Sequence, residues 1–457
     1  MLTTSSIEQL EQSLLGNLIQ PEDPEYEEAR SIFNGMIDKH PRLIAHCRDV
    51  ADVIAAVNFA REQQLETAVL GGGHSAPGLS LVENGLVIDL SEMKGIRVDP
   101  NARTVRVEAG CRLGEIDHAT HAFGLATVSG FIANTGIAGL TLGGGHGYLS
   151  RKYGLTIDNL LSADVVLANG ELVHASEQEN ADLFWALRGG GGNFGVVTSF
   201  EFRLHPVDMV MGGALFWPLD VLEDTLRWYR EWLPQTSVDV SPFYMVGAVP
   251  PVDHFPKEIQ GQTICGLQWC YLGPEEKLDE VMRPARQVAK PLFEHVGPMP
   301  YPALQSMFDP LHPPGFQWYW KGDFVKELTD DAISIHRRFA ELPTPQSVMH
   351  LYPIDGAVHQ VSPEATAWNY RDANWSMIIA GASPEPADAD KLKTWVRNYW
   401  DAIHPHSREA SYINFMMEEG QERIKAFYGS NYERLQQIKA KYDPENFFHI
   451  NQNIEPA

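Results

Sequence analysis

Three glycine clusters limit how this chain can fold. The first, GGGHS, covers residues 71–75; the second lies within residues 129–154; and the third, RGGGGNFG, covers residues 188–195. Glycine weakens the interior of a helix or strand, but it lets the backbone turn sharply or approach another group closely. The clusters therefore predict ordered loops that place backbone against a partner, rather than core helices or strands.

The second cluster is the most informative, because it holds seven glycines within 18 residues. They are Gly130, Gly136, Gly139, Gly143, Gly144, Gly145 and Gly147. Apolar side chains at Ile132, Ile137 and Leu140 alternate with them, which favours a buried, ordered loop over a flexible surface loop. The free N–H groups of such a loop bind an anion without a charged side chain. A cradle for a phosphate-bearing ligand is the favoured interpretation, and a purely structural loop is the alternative.

The third cluster contains a formal G-x-G-x-x-G at Gly190, Gly192 and Gly195. The dinucleotide-binding version of this motif needs a strand before the glycines and a helix after them. Here a helical pattern at 180–188 precedes the glycines and a strand pattern at 196–202 follows. The order is reversed, so the motif does not predict a Rossmann site.

Charge and composition exclude several classes of protein. The formal net charge of −25 argues against broad binding to nucleic acid or to an anionic membrane. The N-terminal residues lack the pattern of a signal peptide, and no stretch has the length of a membrane span, so a cytoplasmic location is expected. Four scattered cysteines predict no disulfide framework. His74 and His146 each follow three glycines, but no third ligand has a fixed spacing to them, and no metal site is predicted.

The amino-acid composition and the pattern of predicted elements change near residue 208. Before it, short helical and strand patterns alternate, with a hairpin turned by Asn169-Gly170. After it, glycine becomes rarer and aromatic strands alternate with amphipathic helices such as 220–233. A second domain built on an antiparallel sheet is predicted over residues 208–410.

Taken together, five segments resemble the FAD-linked oxidases of the vanillyl-alcohol oxidase superfamily, in the berberine-bridge-enzyme-like branch. They are GGGHSAPGLS, GIAGLTLGGGHGYLSRKYG, RGGGGNFGVVTSFEF, SYINF (411–415) and DPENFFHINQNI (443–454). The resemblance implies an α+β fold with an FAD-binding domain over residues 1–207, of PCMH type over about 38–207. It also implies an inserted substrate domain over 208–410 and a C-terminal return to the FAD-binding domain over 411–457.

The resemblance further implies FAD bonded covalently through its 8α-methyl group to His74. Relatives with a second bond use a cysteine where this chain has Ile132, so a single bond is predicted. The other residues expected to contact FAD are Gly71, Gly72, Gly73, Ser75, Gly78, Leu79, Gly130, Asn134, Thr135, Gly136, Gly139, Gly144, Gly145, Gly147, Tyr148, Gly195, Val196, Val197, Asn451 and Asn453.

For catalysis, the family implies that Tyr412 removes a proton from the substrate, with Asn414 beside it. A phenol has a pKa near 10, so this role predicts a nearby group that lowers it, and Arg371 and Lys321 are the candidates. His146 stands where relatives often carry tyrosine. We hypothesise that it lies at the reactive edge of the flavin and titrates near neutral pH.

The resemblance implies hydride transfer from an alcohol-type carbon to flavin N5, followed by electron transfer to O2 to give H2O2. The expected partners are therefore O2 and a small molecule, either a carbohydrate or a secondary metabolite. Flat walls for it are predicted from Trp318, Tyr319, Trp320, Tyr370 and Trp375. Two alternatives stay open: a dehydrogenase that avoids O2, with Thr135 the candidate gate, and a flavin-binding protein without catalysis.

Overall fold

The computed structural model describes residues 3–408 and 410–457. Its N-terminal part contains a small sheet in the order β1-β2-β4-β3, in which β1 is antiparallel to β2 and the other pairs are parallel. The strands are β1 (Asn17–Ile19), β2 (Leu43–His46), β3 (Thr67–Leu70) and β4 (Leu86–Asp89). The first glycine cluster begins directly where β3 ends, so this sheet holds its position.

A five-stranded antiparallel sheet follows, in the order β5-β6-β10-β8-β9, and β7 pairs with β11 in a short ribbon. The strands are β5 (Ile96–Asp99), β6 (Thr104–Glu108), β7 (Leu125–Ala126), β8 (Leu160–Val166), β9 (Leu172–Ser176), β10 (Val196–Arg203) and β11 (His205–Pro206). The hairpin predicted at Asn169-Gly170 joins β8 to β9. The third glycine cluster lies directly before β10.

A seven-stranded antiparallel sheet has the order β15-β12-β14-β13-β17-β18-β16. Its strands are β12 (Met209–Pro218), β13 (Phe243–Ala248), β14 (Thr263–Tyr271), β15 (Phe293–Pro300), β16 (Gln317–Val325), β17 (Val348–Pro353) and β18 (Trp375–Ser383). Successive side chains of a strand point to opposite faces. Here one face packs with Leu226, Ile333 and Val396 of covering helices, and the other turns toward the glycine clusters.

Fourteen α-helices occur in the described part of the chain. They are α1 (Thr4–Ser13), α2 (Tyr26–Ala29), α3 (Val50–Gln63), α4 (Leu113–His121), α5 (Ile137–Leu142), α6 (Ser150–Tyr153), α7 (Ala181–Leu187), α8 (Leu222–Trp232), α9 (Leu278–Val288), α10 (Tyr301–Gln305), α11 (Asp330–Arg338), α12 (Ala389–Ile403), α13 (Gln421–Tyr428) and α14 (Tyr432–Tyr442). Among these described helices, none combines the length and apolar character needed to cross a membrane.

Two buried ion pairs join the N-terminal sheets to the seven-stranded sheet. Arg151 of α6 donates from Nε to Oδ1 of Asp355 at 2.6 Å, and Arg371 binds both carboxylate oxygens of Asp158 at 2.7 and 2.8 Å. Both arginine side chains are only 2% exposed. Removing one partner of such a pair would leave the other charge buried and would cost about 3–5 kcal/mol, so each pair requires the two parts to stay in register.

The C-terminal return is fastened to the third glycine cluster. Lys439 of α14 donates to Oδ2 of Asp443 at 2.6 Å, to the carbonyl of Asn193 at 2.7 Å and to that of Phe448 at 3.0 Å. The Asn193 side chain in turn accepts from the N–H of Ile454 at 2.9 Å. One buried ammonium group therefore ties the C-terminal residues 439–448 to the third glycine cluster.

A buried carboxyl group lies between α4 and α10. Asp117 is 1% exposed, Gln305 donates to its Oδ2 at 3.3 Å, and its Oδ1 has no partner among the described residues. Burial raises the pKa of Asp117 to about 7, above the ordinary carboxyl value. The folded protein therefore holds this proton more tightly than the unfolded chain does.

The raised pKa of Asp117 predicts how the free energy of unfolding depends on pH. The free energy of unfolding should fall by up to about 1.4 kcal/mol per pH unit between pH 4 and 7, then level off, because only the unfolded chain ionises there. Urea unfolding of Asp117→Asn from pH 5 to 8 should lack this contribution. Asp253→Asn, at an exposed position, should keep it. Identical pH curves for the wild type and Asp117→Asn would contradict the assignment.

Candidate active site

A cavity of about 380 Å³ lies between the glycine clusters and the inner face of the seven-stranded sheet. Its size is typical of small-molecule sites. Most of the residues predicted to contact cofactor or substrate line it. They are Gly71, Gly72, Gly73, His74, Ser75, Leu79, Gly130, Thr135, Gly136, Gly139, His146, Gly195, Val196, Val197, Tyr412, Asn414 and Asn451.

The first two glycine clusters cross at Gly72 and Gly136. A Cβ on Gly72 would lie 2.4 Å from the Cα of Gly136, and a Cβ on Gly136 would lie 2.5 Å from the N of Gly72. Backbone meets backbone here, so neither position has room for a side chain. Part of the glycine content is therefore explained by this close approach of two loops.

The first cluster also presents unused hydrogen-bond donors. The N–H groups of residues 71–75 donate to no acceptor within the described chain, and these residues line the cavity. These five residues are partly exposed at the cavity wall, so their N–H groups are available to an acceptor such as a phosphate. A Cβ on Gly139 or Gly192 would meet nothing within 4 Å, so both glycines leave space at the cavity wall.

Seven predicted contact residues do not line this cavity. They are Gly78, Asn134, Gly144, Gly145, Gly147, Tyr148 and Asn453. Some of these glycines serve packing: a Cβ on Gly147 would lie 2.0 Å from the carbonyl oxygen of Ser129, and one on Gly78 would lie 2.5 Å from a carbon of Ile37. Asn134 faces a second cavity of about 1120 Å³, which also reaches His74.

His74 stands between the two cavities. Its ring stacks on Phe33 with 4.1 Å between ring centroids, and Phe33 stacks in turn on Trp318 at 5.3 Å. Desolvation, and then the charge of Arg112, lower the pKa of His74 to about 4. The imidazole is therefore neutral at pH 7, and a neutral imidazole has a nitrogen lone pair that can act as a nucleophile.

Tyr412 and Asn414 lie together on the cavity wall, as the family resemblance implies. The Tyr412 hydroxyl accepts from the N–H of Gly145 at 3.1 Å and from Nδ2 of Asn414 at 2.7 Å. Burial nevertheless raises the pKa of Tyr412 well above its usual value, although both donors oppose this shift. The expectation of a lowered tyrosine pKa is therefore wrong for this structure.

The two cations expected near Tyr412 are engaged elsewhere. Arg371 pairs with Asp158, and Lys321 pairs with Glu419 at 2.8 Å and lies over the ring of Trp400. Both cations have buried or nearly buried partners of opposite charge, so their role is structural. The two hydrogen-bond donors to the Tyr412 hydroxyl are both uncharged groups.

His146 is buried beside Tyr412, with 4.8 Å between their ring centroids. Its Nε2 shares a hydrogen bond with Oγ of Ser376 at 3.1 Å, and its Nδ1 has no partner among the described residues. Burial lowers the pKa of His146 to about 3. The expectation that it titrates near neutral pH is therefore wrong, and the ring stays uncharged.

The predicted aromatic walls are correct for two residues of five. Trp318 and Trp320 line the cavity, whereas Tyr319 points to the opposite face of β16. Trp375 also belongs to that opposite face, and Tyr370 stacks on Phe324 at 5.2 Å, away from the cavity. Strand alternation explains the split between Tyr319 and its neighbours.

His350 and Tyr352 are among the cavity residues that the sequence analysis missed. His350 and Tyr352 lie on β17, and Nδ1 of His350 shares a hydrogen bond of 2.7 Å with the Tyr352 hydroxyl. The segment VMHLYP places Val348, His350 and Tyr352 on one face by period two, which was a usable signal. The sequence alone did not indicate which face turned toward the cavity.

Comparisons with known proteins agree with this geometry. The FAD binding domain family model matches residues 41–176, and the berberine and berberine-like model matches 411–455. A FAD-linked oxidoreductase of Dictyostelium discoideum is 33% identical over 457 residues, covering 99% of this chain and 97% of that protein. The chain belongs to the berberine-bridge-enzyme-like FAD-linked oxidoreductases.

Solved structures of this family superpose over the whole chain. The 6-hydroxy-D-nicotine oxidase of Arthrobacter nicotinovorans matches with a TM-score of 0.88, 25% identity and full coverage of both chains. The xylooligosaccharide oxidase of Myceliophthora thermophila, solved with xylobiose, matches with a TM-score of 0.85 and 25% identity over 99% of each chain. The predicted α+β fold is confirmed.

The cavity of this berberine-bridge-enzyme-like chain fits FAD chemically. The free N–H groups of residues 71–75 would hold the pyrophosphate, and Gly139 and Gly192 leave room at the wall. Oδ1 of Asn451 is buried without a partner in the described chain, and Asn451 lines the cavity. These groups fit an extended cofactor that carries both phosphates and polar ring edges.

Proposed function

We propose that the protein is an FAD-dependent oxidase with its flavin attached covalently and only through His74. The supporting observation is the neutral imidazole of His74 at the wall of a cavity whose other walls carry free backbone donors. An imidazole nitrogen with a free lone pair can form the bond to the 8α-methyl carbon. Ile132 lines the cavity in place of a second attachment residue, and the four cysteines are buried and free.

The proposed reaction oxidises an alcohol-type carbon of a small molecule. When bound, FAD supplies the hydride acceptor and then passes two electrons to O2, which yields H2O2. In its phenolate form, Tyr412 takes the hydroxyl proton of the substrate, and the N–H of Gly145 and the amide of Asn414 stabilise the oxygen that receives it. His146 stays neutral and orients groups beside Tyr412 through its unpartnered Nδ1.

The covalent bond is tested by denaturing the purified protein with acid. Flavin absorbance is expected in the pellet of the wild type and of His118→Ala, a change at an exposed histidine. The pellet of His74→Ala should be colourless, with any flavin in the supernatant. Flavin released from the wild type would contradict the covalent bond.

Use of O2 is tested separately. The photoreduced wild-type protein is mixed with oxygenated buffer in a stopped-flow instrument, and rapid reoxidation with one H2O2 formed per flavin is expected. Reoxidation over minutes would instead indicate a dehydrogenase. Failure of any alcohol to reduce the flavin would indicate a binding protein without catalysis.

A further inference from the structure

We call the part of the cavity that lies beneath the seven-stranded sheet the roof chamber. Its lining comes from four strands: Phe243 of β13, Trp318 and Trp320 of β16, His350 and Tyr352 of β17, and Ile378 of β18. Aromatic faces of this kind suit a flat ligand that stacks or packs edge-on.

The cavity wall carries no Asp, Glu, Lys or Arg side chain within the described residues. Its histidines do not supply charge either, because burial lowers the pKa of His350 and of His146 to about 3 and also lowers that of His312. A charged ligand would lose its hydration in the roof chamber without gaining a counter-ion, which is costly. The chamber therefore selects against charged substrates.

The roof chamber does contain a few directed polar groups. His350 is 4% exposed, and its Nδ1 is occupied by Tyr352, while its Nε2 is buried without a partner among the described residues. The indole N–H groups of Trp318 and Trp320 are likewise buried and unpartnered there. Unlike the unpartnered indole N–H groups of Trp269 and Trp375, these three atoms belong to residues that line the cavity, so polar groups of a ligand there can serve as their partners.

We infer that the roof chamber binds an uncharged, flat aromatic compound, and that Nε2 of His350 binds a hydroxyl group on its ring system. This inference rests on the proposed function, because it assigns the substrate class of the same site. A sugar would bring a hydroxyl on nearly every carbon, and each one buried without a partner costs about 1–3 kcal/mol. The aromatic walls offer too few partners for such a ligand.

Tyr352 makes His350 a suitable specificity residue. Its ring stacks on Phe131 with 4.2 Å between centroids and 19° between planes, so its hydroxyl is held in place. That hydroxyl either donates to Nδ1 or accepts from it, which leaves Nε2 as donor or acceptor respectively. The pair can therefore match a ligand hydroxyl in either role.

The test is isothermal titration calorimetry on the flavin-loaded protein with three probes. These are 2-naphthol, its carboxylate analogue 2-naphthoate, and cellobiose. Since 2-naphthol has no alcohol carbon to oxidise, its binding is measured without turnover. We expect 2-naphthol to bind at least about tenfold more tightly than either other probe, and His350→Phe to weaken its binding about tenfold. Equal or tighter binding of 2-naphthoate or cellobiose would overturn the inference.

The chain provides a matched control for the histidine. His336 is also buried and shares a hydrogen bond of 2.6 Å with Tyr399, but this pair lies outside the cavity lining. His336→Phe should leave 2-naphthol affinity unchanged, and an equal loss in both variants would overturn the role of His350. Failure of these binding results would leave the acid-precipitation and reoxidation results intact, so the substrate class and the proposed function are tested independently.

Discussion

Replacement of Tyr412 by Phe is expected to lower the rate constant of flavin reduction by about 10²- to 10⁴-fold, the usual contribution of a positioned acid–base group. The variant removes only the hydroxyl, so the ring contact with His146 and the cavity shape remain. The measurement is anaerobic stopped-flow reduction, using whichever member of a panel of uncharged aromatic alcohols reduces the wild-type flavin fastest.

The pH dependence gives the same prediction a second readout. Burial keeps the pKa of Tyr412 above its usual value, so the hydroxyl is protonated at pH 7. If the phenolate takes the substrate proton, the wild-type reduction rate should rise about tenfold per pH unit from pH 6 to 9. Tyr412→Phe should lack this rise. His146, with a pKa of about 3, contributes no step in this range.

Tyr428 provides the control for Tyr412. It is also a buried tyrosine with a raised pKa, but its hydroxyl has no partner in the described chain and does not line the cavity. The flavin of Tyr428→Phe should therefore be reduced at the wild-type rate. Equal rates for Tyr412→Phe and the wild type would assign proton removal to another group.

Lys439→Met is expected to lower the free energy of unfolding by about 3–5 kcal/mol, because it leaves Asp443 buried without its counter-ion. Both side chains of this pair are 0% exposed, and burial lowers the pKa of Lys439 even beside the carboxylate. The loss also removes the donor to the carbonyls of Asn193 and Phe448. Equilibrium urea unfolding of the flavin-loaded protein measures the effect.

The same helix offers the control. Lys441 pairs with Asp182 at 2.7 Å, but the two side chains are 57% and 36% exposed. Lys441→Met should therefore cost less than about 1 kcal/mol. Similar losses for both variants would show that the contribution of Lys439 does not depend on its burial.

Much of the cavity could be predicted because glycine has few structural roles. The clusters at 71–75 and 129–154 were expected to form loops at a ligand site; both line the cavity, but residues 137–142 of the second form α5 instead of a loop. The family resemblance of SYINF implied Asn414 beside Tyr412, and the two side chains share a hydrogen bond of 2.7 Å. Strand alternation was also visible in the sequence. What the sequence lacked was the choice of face: it could not tell that Trp318 and Trp320 turn inward while Tyr319 turns outward.

Electrostatic expectations were the least reliable, because they depend on partners far away in the chain. Arg371 forms an ion pair with Asp158, which lies 213 positions earlier in the chain, and is therefore not available to Tyr412. The low pKa of His146 likewise comes from burial by several strands and loops. Residue type indicated which groups can titrate, but only packing determined which ones do so near pH 7.

The ion pairs Arg151–Asp355 and Arg371–Asp158 have a consequence for how small molecules reach the cavity. A hinge motion that moved the seven-stranded sheet away from the glycine loops would have to separate both ion pairs at the same time. Entry of small molecules by a hinge motion is therefore disfavoured. Entry and exit are left to rotations of individual side chains and small shifts of loops at the rim.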